Sequence, residues 1–205
     1  MLRMLELFSG SGVMSKAFQR EGFETITLDN EPDYHPDICE SIFDFDPYSD
    51  LHPDVIWASP PCTKFSVASL SRNWRDGKPI NPETEEAIAI VRRTLDIIRI
   101  IKPRFYFIEN PRGMLRTLDI MKGMPRMTIS FCQYGENRMK PTDIWTNASM
   151  FFRCCKNGDP CHEAAPRGSK TGTQGIKGAY NRGILPTMLC DEVASYCKKG
   201  LYDKS

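Results

Sequence analysis

Short apolar runs alternate with amphipathic segments over the first two-thirds of the chain. Runs typical of buried strands cover residues 4–8, 25–28, 54–58 and 105–108. Residues 13–20 have a helical pattern and separate the first two of these runs. Strands separated by helices predict βαβ units, and therefore an α/β fold with a mainly parallel sheet.

The clearest helix is predicted for residues 82–101. Asn81 suits the N-cap position and Pro82 suits the first helical turn. Three- and four-residue spacing along one face relates the apolar residues Ile88, Val91, Leu95, Ile98 and Ile101. Pro103 ends the predicted helix before the next apolar run.

The pattern changes near residue 150. Residues 153–183 are rich in Gly, Cys, Lys and Arg and lack apolar periodicity, whereas residues 187–198 predict a closing helix. We therefore predict a main domain over residues 1–149 and a small irregular C-terminal lobe or loop over residues 150–183. In the last part, residues 184–205, we expect the helix to pack back on the main domain.

The composition is that of an ordinary globular protein. The 205 residues are 40% hydrophobic and 26% charged, with a formal net charge of +1, so a nucleic-acid surface would have to be a local patch. No uncharged apolar run approaches the roughly 20 residues of a membrane helix, and we expect no secretory signal. Without such a signal, the eight cysteines indicate reduced thiols. We therefore expect a cytoplasmic protein that does not contact a membrane, and we assume a monomer.

The residues whose side chains could take part in binding or catalysis follow the predicted strands. They are the glycine-rich turn at residues 9–12, Asp29, residues 60–62 and residues 109–111. In parallel sheets, ligands bind beyond the carboxyl ends of the strands. The glycine-rich turn would let a ligand approach the backbone, although a simple tight turn is an equal alternative. Asp29 would accept hydrogen bonds from a ribose diol or, alternatively, cap a turn or helix.

Cys62 and Glu109 are the candidate reactive groups. Pro60 and Pro61 stiffen the chain before Cys62, which must be exposed and have thiolate character to act as a nucleophile. The alternative is a buried, inert thiol. Burial of Glu109 would raise its pKa and make it a general acid, whereas the alternative is an ion pair with an arginine such as Arg112.

Together these segments resemble the ordered motifs of the cytosine-5 DNA methyltransferase family. The matching residues are 5–12, the Pro60-Pro61-Cys62 segment with Phe65-Ser66, Glu109-Asn110, and residues 134–140. The resemblance covers roughly residues 3–147, and the pattern is closer to compact, virus-like members than to restriction-system enzymes. It implies a Rossmann-like class I S-adenosylmethionine-dependent methyltransferase fold. In that fold, residues 1–149 would form the catalytic and cofactor-binding domain and residues 150–183 a reduced target-recognition lobe.

The resemblance also implies a reaction, which is methyl transfer from S-adenosyl-L-methionine to carbon 5 of a cytosine flipped out of DNA. Cys62 would add to carbon 6, Glu109 would protonate or hydrogen-bond N3, and Arg138 would hold the flipped base or an adjacent phosphate. The implied cofactor-binding residues are Phe8, Ser9, Gly10, Ser11, Gly12, Asp29, Asn30, Ile42, Asp44 and Pro60.

The chain departs from the family pattern at several of these positions. Glu6 replaces the usual Asp, and Ser41 precedes Ile42 where the family has Asp. The usual Gln-x-Arg-x-Arg pattern is present as Glu136-x-Arg138-x-Lys140. Adenine binding would therefore use Ile42 or Asp44, and the departures concern the cofactor more than the catalytic pair.

DNA is the partner that the resemblance implies. The residues predicted to contact nucleic acid are Lys64, Ser66, Arg72, Arg75, Lys140, Arg167 and Lys170. The segment 64–81 would close on the nucleic acid, or it would be an ordinary surface loop. Two alternatives to DNA methylation stay open, namely the same chemistry on RNA or a free cytosine nucleotide, and a catalytically silent DNA-binding or regulatory protein.

A cluster of metal-ligating residue types lies in the irregular segment. Cys154, Cys155, Cys161 and His162 fall within nine positions, but their spacing matches no standard zinc finger. Reduced thiols are the default interpretation, and zinc on Cys155, Cys161 and His162 is the alternative.

Overall fold

A computed structural model describes residues 1–163 and 179–202. The strands of this part of the chain are β1 (Arg3–Leu7), β2 (Glu24–Asp29), β3 (Ile38–Cys39), β4 (Val55–Ala58), β5 (Trp74–Arg75), β6 (Lys78–Pro79), β7 (Phe105–Pro111), β8 (Arg126–Ser130) and β9 (Pro141–Thr146). Its α-helices are α1 (Val13–Arg20), α2 (Leu70–Asn73), α3 (Pro82–Ile101), α4 (Ala179–Gly183) and α5 (Thr187–Tyr202). Short 3-10 helices cover Pro32–Tyr34, Val67–Ser69, Met114–Thr117, Asp119–Met121 and Phe131–Tyr134.

Seven strands form one sheet in the order β3-β2-β1-β4-β7-β9-β8. The first five strands in this order are parallel, whereas β9 runs antiparallel to both of its neighbours. The predicted α/β class with a mainly parallel sheet is therefore confirmed. Because β9 is reversed, its first residues lie at the same edge of the sheet as the last residues of β7.

Helices cover both faces of this sheet. Alternate residues of the central strands, such as Met4 and Trp57, pack in one core cluster with the buried side chains of α1 and α5. Their neighbours, such as Leu5 and Ile56, pack in the other cluster with the buried side chains of α3. A strand buried on both faces needs apolar residues at every position, which explains the continuous apolar runs of the sequence.

The local signals at the helix ends act as predicted. The Oδ1 atom of Asn81 accepts a hydrogen bond of 2.9 Å from the backbone N–H of Thr84, and Pro82 occupies the first turn of α3. Helices α1 and α3 have the bounds that the pattern predicts. Strand β7 instead continues three residues past the predicted run, because Glu109, Asn110 and Pro111 pair with β9.

Residues 151–163 form neither helix nor strand. After them, α5 packs its buried residues Leu189 and Val193 in the same cluster as Phe18 of α1. The division of the chain into residues 1–149, 150–183 and 184–205 stays a prediction. Within the described residues, no helix has the length and apolar character needed to cross a membrane.

Candidate active site

The turn between β1 and α1 opens the site. The backbone N–H of Ser9 donates to the carbonyl of Leu28 at 3.1 Å, and that of Gly12 donates to the carbonyl of Ser9 at 2.8 Å. Gly10 and Gly12 have φ angles of +48° and +62°, a region that glycine adopts at little cost. A side chain added at either glycine would meet no atom within 4 Å, so the turn faces open space.

Glu6 holds the first turn of α1 in place. Its buried Oε2 accepts the backbone N–H of Ser15 at 2.9 Å and also the Ser15 hydroxyl. Burial raises the pKa of Glu6 to about 7, although the two hydrogen bonds from Ser15 oppose this shift. The motif position thus stays acidic, and Glu6 has a structural role there because it anchors the helix behind the turn.

Asp29 ties the ends of β1 and β2 together. One carboxylate oxygen accepts the N–H of Gly10 at 2.9 Å, and the other accepts the N–H of Glu31 at 3.0 Å. Asn30 and Glu31 follow it and are exposed at the same edge of the sheet. Within the described part of the chain, the Glu31 carboxylate accepts one hydrogen bond, a long one of 3.5 Å from the backbone N–H of Asp33.

The other predicted cofactor residues lie on neighbouring loops. Ile42 is buried and Asp44 is exposed. Arg93 of α3 fixes this loop by donating to the carbonyl of Ile42 at 3.2 Å and to that of Phe45 at 2.6 Å. Pro60 is buried at the end of β4.

Cys62 lies just beyond β4 and is half-buried. The segment before it is held from two sides, because Ser59 N–H donates to the carbonyl of Leu7 at 3.2 Å and the Asn110 amide donates to the carbonyl of Pro60 at 2.9 Å. Burial raises the pKa of the Cys62 thiol, and the negative charge of Glu109 raises it further. The positive charges of Lys140 and Arg182 act on it in the opposite direction.

Glu109 is a buried carboxyl with one free oxygen. Its side chain is hydrogen-bonded to the Ser59 hydroxyl, whose oxygen in turn accepts a hydrogen bond of 2.9 Å from the indole N–H of Trp57. The Oε1 atom is buried and has no hydrogen-bond partner in the described part of the chain. Burial raises the pKa of Glu109, with Lys140 and Ser59 opposing the rise. Burial of this kind favours the protonated form of a carboxyl group, which can donate a hydrogen bond to a ligand.

Lys140 is the cation that interacts with both reactive groups. Because it immediately precedes β9, the reversed strand places it at the edge where β7 ends. Its Nζ lies 4.2 Å from the centroid of the Phe131 ring. Burial lowers the pKa of Lys140, whereas the negative charges of Glu109 and Cys62 raise it.

Arg138 is buried and makes its hydrogen bonds within the protein. It is 4% exposed, forms an ion pair with Glu136 and donates at 3.3 Å to the carbonyls of Arg182 and Ile184. These contacts use most of the five guanidinium N–H donors. Arg138 thus connects the residues before β9 to the start of the C-terminal segment, and its contact with a base stays a prediction.

The segment after Cys62 is a folded element. Its hairpin of β5 and β6 turns at Asp76 and Gly77, both with positive φ, and the Trp74 indole donates to the carbonyl of Lys64 at 2.7 Å. Gly113 also contacts this segment, since a Cβ there would lie 2.2 Å from the Phe65 carbonyl oxygen.

The predicted nucleic-acid contacts are distributed over this segment and beyond it. Arg72 and Arg75 are exposed, whereas Lys64 and Ser66 are half-buried. Arg167 and Lys170 lie outside the described residues.

Sequence reasoning missed three groups at this edge. Ser59 hydrogen-bonds to Glu109, Arg182 acts on the thiol of Cys62, and Glu31 presents an exposed carboxylate beside Asp29. The strand-end position of Ser59 and Glu31 was a signal that could have found them. Arg182 carried no such signal, because it comes to the site from α4, about 120 residues after Cys62 in the chain.

The comparisons with known proteins identify a family. The family model for C-5 cytosine-specific DNA methylases matches residues 2–135. A probable DNA (cytosine-5)-methyltransferase of Frog virus 3 is 33% identical over 171 residues, which are 78% of each chain. The type II methyltransferase M.AplI of Arthrospira platensis is 34% identical over 128 residues, 56% of this chain and 32% of that relative. The chain thus spans most of the viral relative but only a third of the bacterial one.

Solved structures agree on the fold. A methyltransferase of Entamoeba histolytica has a TM-score of 0.53 at 14% identity, covering 76% of this chain and 57% of that one. The S. pombe Dnmt2 methyltransferase has a TM-score of 0.51 at 16% identity, covering 75% and 52%. The class I S-adenosylmethionine-dependent methyltransferase fold is therefore confirmed. The family match over most of the chain and the viral relative together show that this protein belongs to the C-5 cytosine-specific DNA methylase family.

Proposed function

We propose that this chain transfers a methyl group from S-adenosyl-L-methionine to carbon 5 of a DNA cytosine by covalent catalysis through Cys62. One observation supports this most directly. The buried Glu109 carboxyl keeps Oε1 without a partner, within electrostatic range of a half-buried thiol that two prolines and Asn110 hold in place. An unsatisfied buried oxygen is costly, and a ligand group that hydrogen-bonds to it would remove that cost.

The two reactive groups support each other chemically. The charge of Glu109 raises the pKa of Cys62, so protonation of Glu109 makes the thiolate easier to form. The active combination is then a Cys62 thiolate beside a neutral Glu109, with Lys140 balancing the negative charge of the sulfur. In this combination each group would be in the protonation state that its role requires.

Covalent addition follows from this arrangement. The Cys62 sulfur bonds to carbon 6 of the ring while Glu109 gives its proton to N3, so the electron pair of the C5–C6 double bond becomes available at carbon 5. S-adenosyl-L-methionine, when bound, supplies the methyl group that carbon 5 accepts. A base then removes the carbon 5 proton, the C6–S bond breaks, the double bond re-forms and the N3 proton returns to Glu109.

Lys140 is the group we assign to the base or to a neighbouring phosphate. The N–H groups of Arg138 donate hydrogen bonds within the protein, whereas Lys140 interacts electrostatically with both Glu109 and Cys62. An ammonium group there would also favour the thiolate, because a positive charge lowers the pKa of a nearby thiol.

The residues of the β1 and β2 edge fit the proposed cofactor. The open turn at Gly10 and Gly12 leaves room for the amino acid part, and the amides of the first turn of α1 favour its carboxylate. Asp29 already accepts two backbone N–H groups, so we assign the ribose hydroxyls to Glu31, whose carboxylate is exposed. Ile42 and Pro60 would contact the adenine and methyl ends, respectively.

Trapping on 5-fluorocytosine DNA tests the covalent step. Fluorine replaces the carbon 5 proton and blocks release, so wild-type protein with S-adenosyl-L-methionine should give an adduct that survives denaturing electrophoresis. Cys62→Ala should abolish the adduct, whereas Cys154→Ser, which removes an exposed thiol elsewhere, should retain it. Adduct formation by Cys62→Ala, or none by the wild type on any cytosine substrate, would contradict the proposal.

The substrate is tested separately. Tritiated methyl transfer to duplex DNA, transfer RNA and deoxycytidine monophosphate should be greatest with DNA. A preference for RNA or for the nucleotide would leave the Cys62 chemistry intact and replace DNA as the substrate.

A further inference from the structure

Four metal-ligating side chains converge beside the 3-10 helix Phe131–Tyr134. Cys132 belongs to the 3-10 helix after β8, whereas Cys155, Cys161 and His162 come from the irregular segment that follows β9. One ligand atom from each residue lies within 4.8 Å of all the others. The sequence grouped these three later residues with Cys154, whereas Cys132 joins them only through the fold.

The separations agree with a tetrahedron around one ion. The Cys132 sulfur lies 3.3 Å from that of Cys155 and 3.7 Å from that of Cys161. The Nδ1 atom of His162 lies 3.8, 3.7 and 3.5 Å from the sulfurs of Cys132, Cys155 and Cys161. Zinc bonds of about 2.3 Å to sulfur and 2.0–2.1 Å to nitrogen place tetrahedral ligands about 3.8 Å (S···S) and 3.5 Å (S···N) apart.

Local structure brings these ligands together. Between Cys155 and Cys161, the chain turns where the N–H of Lys156 donates to Asp159 Oδ2 at 2.7 Å and the N–H of Asp159 donates back to the Lys156 carbonyl at 3.1 Å. The N–H of Cys155 donates to the Ser130 hydroxyl at 3.1 Å, which fixes the turn against the end of β8.

Cys154 has a separate role from its neighbour. Its sulfur lies 3.4 Å from the Ser130 hydroxyl oxygen and at the same distance from the Cys155 carbonyl, and it is not in the converging group. Adjacent cysteines seldom ligate one ion together, and here only the second points into the cluster. Cys154 therefore provides a matched control.

The segment that carries three of these residues has little hydrophobic packing. Residues 153–163 bury no apolar side chain, and all eight cysteines are free thiols. The distances given above show that Nδ1 is the nitrogen of His162 directed at the sulfurs. Among the described residues, its Nε2 atom is buried without a hydrogen-bond partner. Order in a segment with so little apolar burial needs another source of free energy, and metal binding supplies it in small domains.

We propose that Cys132, Cys155, Cys161 and His162 bind one structural zinc ion. Three sulfurs and one imidazole nitrogen form a common closed set for zinc, with no position left for a substrate. The ion would join the irregular segment to the 3-10 helix at Phe131–Tyr134, whose Phe131 ring lies against Lys140. Zinc would thereby fix the backbone that presents Lys140 to the active site.

Metal content tests the site directly. Full-length protein, purified with a reductant and incubated with zinc chloride, should retain one zinc per chain after gel filtration, measured by mass spectrometry of the metal. Cys154→Ser should retain the same amount. Cys132→Ser should bind zinc more than about tenfold more weakly in competition with a chromogenic chelator.

X-ray absorption on the wild type keeps the test independent of variant folding. The zinc shell should contain three sulfurs at about 2.3 Å and one nitrogen at 2.0–2.1 Å. Zinc removal should increase amide hydrogen exchange at residues 131–140. An absence of bound zinc, a shell of four sulfurs, or equal zinc loss in Cys154→Ser and Cys132→Ser would overturn the proposal.

Discussion

Glu6 should make the stability of this protein fall as the pH rises. Its pKa in the folded state is about 7, against an ordinary value of 4.5, because the carboxylate is buried. Between these two values the folded state holds a proton that the unfolded state has lost. The free energy of unfolding therefore decreases with rising pH, and the Glu6 contribution becomes constant above pH 7.

Linkage gives the size of this effect. With the two pKa values above, the Glu6 term changes by about 2.5 kcal/mol between pH 5 and pH 8. Glu6→Gln has no charge to bury and its amide oxygen can still accept the N–H of Ser15, so the variant lacks this term. Relative to wild type, it should gain about 2.5 kcal/mol from pH 5 to pH 8.

Urea unfolding of both proteins at pH 5, 6, 7 and 8 measures the difference. Where unfolding is not reversible, the melting temperature of the variant should rise by about 5–10 °C relative to wild type over the same range. Glu86→Gln, an exposed position on α3, is the control and should show no such trend. A difference between wild type and Glu6→Gln that stays constant with pH would refute the argument that Glu6 is buried with a raised pKa.

Three further predictions concern the active site. Glu109→Gln should lower kcat about 10²–10⁴-fold in methyl-transfer assays. The wild-type rate should fall as the pH rises through the raised pKa of Glu109, and the variant should lack this fall. The Kd for S-adenosyl-L-methionine, measured by calorimetry, should stay the same. Lys140→Met should move the alkylation of Cys62 by iodoacetamide to higher pH, because a positive charge that lowers the pKa of the thiol is lost; an unchanged midpoint would contradict this. Gly113→Ala should destabilise the protein by about 1–3 kcal/mol in urea unfolding, since the new methyl group would lie 2.2 Å from a backbone carbonyl oxygen, whereas Gly183→Ala meets no atom within 4 Å and should cost much less.

Some elements of the fold could be predicted from the sequence, because their signals are local. Helix α3 begins after Asn81 and includes Pro82, since capping and proline geometry depend only on neighbouring residues. The runs that became β1 and β4 were visible because a strand buried on both faces is apolar throughout. The prediction of Cys62 and Glu109 as partners followed from the shared edge of parallel strands.

The segments after β7 show where local signals end. Strands β8 and β9 gave no distinct pattern, and the reversal of β9 places Lys140 at the active-site edge. Arg138 could not be separated from Lys140 by sequence alone, because its contacts lie on residues 182–184, more than 40 positions away.

The sequence by itself therefore determined the α/β class, the ordered motifs and the identities of the proposed nucleophile and acid. The tertiary structure alone decided which cation interacts with them, that the carboxylate of Glu31 is exposed, and that Cys132 lies beside Cys155, Cys161 and His162. The reason is physical. Periodicity and capping act over a few residues, whereas a charge or a ligand set is completed by side chains that only packing brings together.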